Sequence, residues 1–430
     1  MTARTRTITV GNLARVEGEG ALHLTVENGQ VTDLRLEIFE PPRFFEAFLR
    51  GRDAAEVPDL VARICGICPV AYQMSAVHAL ERALGIAVDP RVRALRRLYY
   101  CGEWIESHAL HVHLLAAPDF LGCESVVDLA ARERAAVERG LRLKQTGNAI
   151  IRLLGGRSVH PVGACLGGFT RAPVPAELRA LRAGLERARE DAVACVRWVA
   201  GFDLPERHAD IEFVALRHAQ EYPMNEGRLV SSRGLDCAAE DFDRVIAEHQ
   251  VLHSTALHAR LVDRGHYLVG PLARLNLNLD HLPPLVAAVA RDSGSWPSSN
   301  TFASIVARAI EILFAVDEAA RLIDAYEPPE RPAAAWTPRA GRGAAITEAP
   351  RGILYQSYEV DDDGRIRAAR IVPPTSQNQA QIEAELRELA PSLLERALPE
   401  ATRLCETLIR SYDPCISCAT HFLRLEIERR

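Results

Sequence analysis

The spacing of apolar residues changes period several times along the chain. Residues 6–40 alternate, first as TITV and then as ALHLTVENGQVTDLRLEIFE. A period of two predicts a small antiparallel sheet, with Asn28-Gly29 as the hairpin turn. From about 42 to 155 the steps become three and four residues, as in VAYQMSAVHALERALG, VRALRRLYYCGEWIESHALHVHLLAA and AARERAAVERGLRLKQTGNAIIRLLGG. These segments predict helices, the last closed by Gly155-Gly156. Further helices fit 176–200, 240–262, 302–326 and 381–411. Two β-rich insertions fall near 208–235 and 345–372, the second turning at Asp363-Gly364. Residues 327–344 are rich in Pro, Ala and Arg and predict a surface loop. The fold class is mainly α with small peripheral antiparallel β-sheets (α+β). A β-rich part covers 1–41, and a helical core covers 42–207 and 240–430.

Composition narrows the function class. The 430 residues are 48% hydrophobic and 25% charged, which excludes a disordered or fibrous chain. A net charge of −6 argues against a nucleic-acid binder. No apolar window is long enough to predict a membrane span. The opening residues, MTARTRTITVGNLARVEG, show neither an apolar signal region nor an arginine pair, so the expectation is a cytoplasmic protein.

The ten cysteines change the picture most. Six are scattered singly in apolar or helical surroundings and read as small buried hydrophobes. The other four form two Cys-x-x-Cys pairs, Cys65/Cys68 in RICGICP and Cys415/Cys418 in DPCISCATH. Pro69 suits a first helical turn, and a helix N-terminus beside Arg63 favours thiolate over thiol. Asp413 can cap, and Pro414 can start, the turn that carries the second pair. One such pair could be redox-active, a zinc half-site or two buried thiols. Two pairs lie 350 positions apart, whereas zinc ribbons separate theirs by roughly 15–20 residues. The βαβ context of a thioredoxin-type dithiol is missing. Four thiolates drawn from two ends of a chain suit a soft or borderline metal in the core, with structural zinc remaining possible.

Seven stretches together carry a family resemblance: Arg15-Val16-Glu17-Gly18-Glu19-Gly20, Phe45-Glu46 with Gly51-Arg52-Asp53, RICGICP at 63–69, GGRSVHP at 155–161 with Gly167-Gly168, EAPRG at 348–352, PPTSQNQ at 373–379, and DPCISCATH at 413–421. In this order they resemble the large, catalytic subunit of nickel–iron hydrogenases over essentially the whole chain, which implies one large-subunit domain spanning 1–430. The resemblance implies reversible heterolytic cleavage of H2 at a nickel held by Cys65, Cys68, Cys415 and Cys418. Cys68 and Cys418 would also bridge to an iron carrying carbon monoxide and cyanide. It implies Cys415 as first proton acceptor, Glu17 as first relay, and Arg351 over the open metal position, oriented by Asp119 and Asp413. Glu46 and His421 match a second, non-redox metal site near the C-terminus, magnesium or sometimes iron, whose hard ligands suit such an ion. The GGRSVHP loop with His160 matches the small-subunit interface.

Tyr72 departs from the family, many members of which have His four residues after the second cysteine. Nothing in the chain reads as an iron–sulfur motif, a dinucleotide fingerprint or a flavin site, so an iron–sulfur small subunit is implied. The wording of the motifs is most similar to the soluble multimeric class, which implies diaphorase-type flavin and NAD(P) subunits. Nickel-insertion proteins and a maturation protease cutting after His421 are implied as well. The alternative is a metal-free or zinc-binding scaffold subunit of a complex-I-like assembly. The four intact cysteines speak against it.

Overall fold

The structure is a computed structural model and describes residues 5–41 and 44–420. Strands Thr5–Val10, Gly20–Glu27 and Gln30–Ile38 form a meander with antiparallel register. Its turn sits at Asn28 and Gly29, both at positive φ (51° and 84°), as an Asn-Gly hairpin requires. Alternate residues of the middle strand, Leu22, Leu24 and Val26, are fully buried against the Pro374–Leu393 and Leu398–Ser411 helices.

The main core lies among helices Pro69–Leu84, Pro90–Leu110, Arg134–Gly155, Pro175–Ala200 and Ser304–Asp324. Two of them approach closely because they meet at glycines. A Cβ on Gly147 would stand 2.4 Å from the Gly102 carbonyl oxygen, so a side chain there would force the helices apart. The Pro90–Leu110 helix runs on into a π-helical turn, His111–Ala116, and then into Ala117–Phe120. Such turns recur at functional sites because they re-aim side chains. No helix among the described residues is long and apolar enough to cross a membrane.

The small sheets form where the pattern predicts, but the one built on Gly341–Ala349 and Gly352–Val360 is not peripheral: both strands are buried along almost their whole length, beside the Pro69–Leu84 helix. Val214–Arg217, Arg228–Ser231 and Asp236–Cys237 make one sheet, and Gly341–Ala349, Gly352–Val360 and Ile366–Val372 make another. Gly364 closes the latter's second turn at φ 79°. Two predicted helices differ from those observed. The expected 240–262 helix is a short helix, Phe242–Val245, followed by the hairpin Ile246–His249/His258–Leu261. The expected 381–411 helix is two helices and begins earlier, at Pro374. Helices Pro271–Asn278 and Pro284–Asp292 were not anticipated.

Candidate metal centre

The two cysteine pairs converge in the core. Cys65 and Cys68 precede the Pro69–Leu84 helix, and Cys65 Sγ accepts hydrogen bonds from the Ile67 and Cys68 backbone N–H groups, both at 3.3 Å. The second pair follows the Leu398–Ser411 helix through a break at Asp413, whose φ of 56° turns the chain back towards the core. Cys65 Sγ lies 3.5 Å from Cys415 Sγ, Cys68 Sγ lies 3.8 Å from Cys418 Sγ, and Cys415 and Cys418 are 2.7 Å apart. All four are buried free thiols whose sulfurs lie within 4.8 Å of one another. Hydrogen bonds from Cys415, Cys418 and Cys68 hold Cys65 well below the ordinary thiol range, while burial pushes Cys415 up. A buried cluster of this kind binds a soft cation by exchanging its protons for metal.

Beside the sulfurs lies a small cavity of ≈ 10 Å³, lined by Cys68, Cys415, Cys418, Tyr72, Arg351 and Pro374 among others. Arg351 is buried and donates through Nε to the Asp413 carbonyl oxygen (2.9 Å) and through Nη2 to Asp413 Oδ1 (3.2 Å). Its Nη1 has no hydrogen-bond partner among the described residues, and neither has the buried Tyr72 hydroxyl. Two unanswered donors beside four thiols fit a metal centre that carries small acceptor ligands. Burial would raise the Asp413 carboxyl, yet the Arg351 charge beside it holds it below the usual range.

Glu17 reaches this cluster from the turn before the second strand. The Cys415 thiol donates to Glu17 Oε2 at 3.1 Å, and the Ser417 N–H donates to the same oxygen at 3.1 Å. The backbone is fixed too, since Ile416 N–H donates to the Glu17 carbonyl at 2.9 Å. Gly18, at φ 89°, is required here: a Cβ would stand 2.7 Å from Ile416 Cβ.

Asp119 does not orient Arg351, contrary to the expectation. Its carboxylate takes Arg410 Nε at 2.6 Å and Arg410 Nη2 at 2.9 Å, and it also pairs with Arg15. Asp119 therefore ties the opening segment to the helix that leads into the second cysteine pair. The physical reason is geometric. Asp413 is sequence-adjacent to that pair and turns both its carbonyl and its carboxylate onto Arg351, whereas Arg410 occupies both oxygens of Asp119.

Sequence reading missed what holds Arg351 in place. The fully buried Arg274 donates to Glu311 through Nε and Nη2 (2.8 and 2.7 Å), to Glu348 (2.9 Å), and to the carbonyls of Ala349 and Pro350 (2.8 and 2.9 Å). The guanidinium stacks over Trp104 at 4.4 Å. These contacts fix the two residues before Arg351. The only sequence signal was the charge of Arg274, Glu311 and Glu348 in otherwise apolar surroundings.

Glu46 sits on a separate pocket of ≈ 220 Å³ that it shares with Ile371, Cys418 and Thr420, and its Oε1 accepts the Ile371 N–H at 2.7 Å. His421 and the tail after it lie outside the described residues, and so do the expected pairing of Glu46 with His421 and the cleavage after His421. His160, at φ 46°, hydrogen-bonds the Ala62 carbonyl through Nδ1 at 2.8 Å and so docks its loop beside the first cysteine motif. Val159 and Val162 on that loop are exposed.

The family described as nickel-dependent hydrogenase matches residues 43–149 and 264–421. The chain is 32% identical over 423 residues to the sulfhydrogenase 1 alpha subunit of Pyrococcus furiosus, covering 97% of this chain and 98% of that one. It is 26% identical over 476 residues to the beta subunit of the NAD-reducing hydrogenase HoxS of Cupriavidus necator, covering 97% and 95%. Among solved structures it is similar to an NAD+-reducing NiFe hydrogenase in the H2-reduced state, at 30% identity and a TM-score of 0.87, covering 97% of this chain and 99% of that one.

Proposed function

The chain belongs to the nickel-dependent hydrogenase family as its catalytic large subunit, and from that premise we propose how its own residues serve the reaction. When bound, the nickel–iron centre supplies the reversible splitting of H2 into protons and electrons. Cys65, Cys68, Cys415 and Cys418 would hold the nickel–iron centre as thiolates. Arg351, held by Asp413 and backed by the Arg274 network, would offer its uncommitted Nη1 to small ligands of the centre. Guanidinium suits this role because it stays charged when buried and donates in fixed directions.

The proton leaves through Cys415. Cys415 Sγ lies 3.1 Å from Glu17 Oε2, within hydrogen-bond reach for proton transfer, and Glu17 is only partly buried, so it delivers outward. Electrons from the centre leave this chain for its partners. They pass to an iron–sulfur small subunit, which the face carrying Val159, His160 and Val162 meets, and from there to diaphorase-type subunits and NAD(P) or a similar acceptor. Glu46 with His421 holds magnesium or iron. Nickel-insertion proteins load the site in the cytoplasm, and a maturation protease then cuts after His421.

The observation that carries this reading is the buried four-sulfur cluster with a carboxylate in hydrogen-bond contact. Metal analysis and infrared spectroscopy of the purified complex test it. Nickel, iron and the bands of carbon monoxide and cyanide are the expected result. Zinc in a matured sample that shows none of these bands would overturn it.

A further inference from the structure

A second cluster of metal-binding side chains lies away from the sulfurs. His253 sits in the loop between the strands Ile246–His249 and His258–Leu261, His258 opens the second of those strands, and Glu383 lies in the third turn of the Pro374–Leu393 helix. One donor atom from each of the three lies within 4.8 Å of the others. His253 Nε2 and Glu383 Oε1 are 2.8 Å apart, and the two imidazole rings meet edge to face at 5.9 Å.

A simple His–Glu contact would explain His253 and Glu383 but not His258. His258 is 1% exposed, and its Nε2 has no hydrogen-bond partner among the described residues. Burying an imidazole nitrogen without a partner is costly, and a metal ion satisfies it. Two imidazoles and one carboxylate are a borderline donor set that leaves a fourth position for water, an arrangement that zinc accepts. His253 and Glu383 keep 21% and 12% of their side-chain surface exposed, which gives an ion a way in. No member of this set belongs to the sulfur cluster or to the pocket of Glu46.

We propose that His253, His258 and Glu383 form a zinc site that staples the 246–261 hairpin to the Pro374–Leu393 helix. Its role is mechanical. Glu383 Oε1 also accepts the Leu36 N–H at 3.2 Å, so the ion would tie in a strand of the opening sheet. The same hairpin loop carries Thr255, whose hydroxyl donates to the Ile38 and Glu40 carbonyls (3.0 and 2.9 Å), and Ala256, which bridges to Thr420. Thr420 lies two residues after Cys418. The zinc site therefore braces the surface on which the second cysteine pair is seated.

The test uses the untagged, nickel-loaded complex, with its infrared bands recorded first so that failure of the nickel reading shows up separately. After mild chelation and dialysis, zinc is titrated back and counted. Cobalt(II) is titrated in parallel as a coloured reporter of a low-coordinate nitrogen and oxygen site. The parent is expected to retain about one zinc per large subunit and to develop visible cobalt bands. His258→Gln and the partly exposed His253→Gln should both lose that equivalent while keeping nickel and the infrared bands. Loss of zinc should also speed heat inactivation of the parent severalfold and leave the variants unaffected. A parent that binds no zinc and gives no cobalt bands would overturn the proposal. So would variants that fold and still bind as much zinc as the parent. Should both variants fail to fold, the parent's zinc count and cobalt spectrum alone decide.

Discussion

The Cys415 thiol and the Glu17 carboxylate are joined by a 3.1 Å hydrogen bond, and the same Glu17 oxygen is pinned by the Ser417 N–H. The second contact matters because it holds the acceptor still while the proton moves. Glu17→Gln keeps the size and the backbone contacts but removes the carboxylate that alternates between two protonation states. General-base removal of this kind costs about 10²-fold or more in rate. H2 oxidation and hydrogen–deuterium exchange should fall by that factor with unchanged nickel content and unchanged infrared bands. Exchange at the parent rate would show that protons leave by another route.

Cys415→Ser should lose nickel and all H2 activity, because a hydroxyl does not replace a soft thiolate in this donor set. Cys195 is equally buried but stands alone in a helix, where burial raises its pKa to about 12. Cys195→Ser should therefore leave nickel content at the parent level and cost only packing stability. Nickel measured in both variants decides the matter, and equal content in Cys415→Ser and the parent would remove Cys415 from the ligand set.

Much of this site was legible because its chemistry is local in sequence. RICGICP, EAPRG and DPCISCATH each carry a ligand or donor together with the proline or left-handed turn that positions it. What escaped reading is non-local. The 240–262 stretch has helical spacing, but Ile246 and Leu261 bury themselves beside Tyr355 and Val372, so tertiary packing overrode the local preference. The start of the Pro374–Leu393 helix was missed because its buried face is polar. Gln377 Nε2 donates to the Ile353 carbonyl at 2.8 Å, and Asn378 exchanges hydrogen bonds with both backbone groups of Val269 (2.9 and 3.1 Å). A helix that buries amides to satisfy neighbouring backbone shows no apolar stripe. Asp119 was misplaced for a related reason: a motif match gives a residue's neighbourhood, not which of several nearby guanidiniums it faces.

The different partners of Asp119 and Asp413 give opposite signatures. Asp119 is almost fully buried against Arg410, so Asp119→Asn leaves that buried cation only the longer ion pair with Glu406 at 3.5 Å and should cost up to about 3–5 kcal/mol of stability. Its infrared bands, where the protein folds, should match the parent. Asp413→Asn loosens Arg351 and should shift those bands. Denaturant unfolding and infrared spectra of the two variants provide the check, and shifted bands in Asp119→Asn would place it with Arg351 after all.

Tyr72 lines the cavity beside the sulfurs with a hydroxyl that finds no protein acceptor. Burial pushes its pKa far up, so it stays a neutral donor. A donor so placed has only the metal centre and its thiolates to serve. Tyr72→Phe removes one hydrogen bond and nothing else. It should shift the diatomic infrared bands while leaving proton exchange through Glu17 near the parent rate. Bands identical to the parent would mean that the hydroxyl faces empty space.

Acid should destabilise the protein through three histidines on one helical stretch. Burial lowers His108 to about 4 and both His111 and His113 to about 3. Each is neutral in the folded state and would take a proton at about 6.5 once unfolded. The stability this gives is present above pH ~6.5 and is lost as pH falls towards 4 and then 3, at up to about 1.4 kcal/mol per pH unit for each group. Glu348 runs the other way: burial raises it to about 7, so its contribution grows as pH falls through 7 towards the carboxylate's unfolded value near 4.5. It offsets one histidine of the three over that window, and the net effect remains acid lability. His113 isolates the effect, because its ring stacks on Trp198 at 5.3 Å and its Nε2 has no partner. His113→Phe keeps the stacking and deletes the titration. The fall in melting temperature between pH 7 and pH 5 should therefore be smaller in His113→Phe than in the parent. An equal fall in the two proteins would show that the lability originates elsewhere.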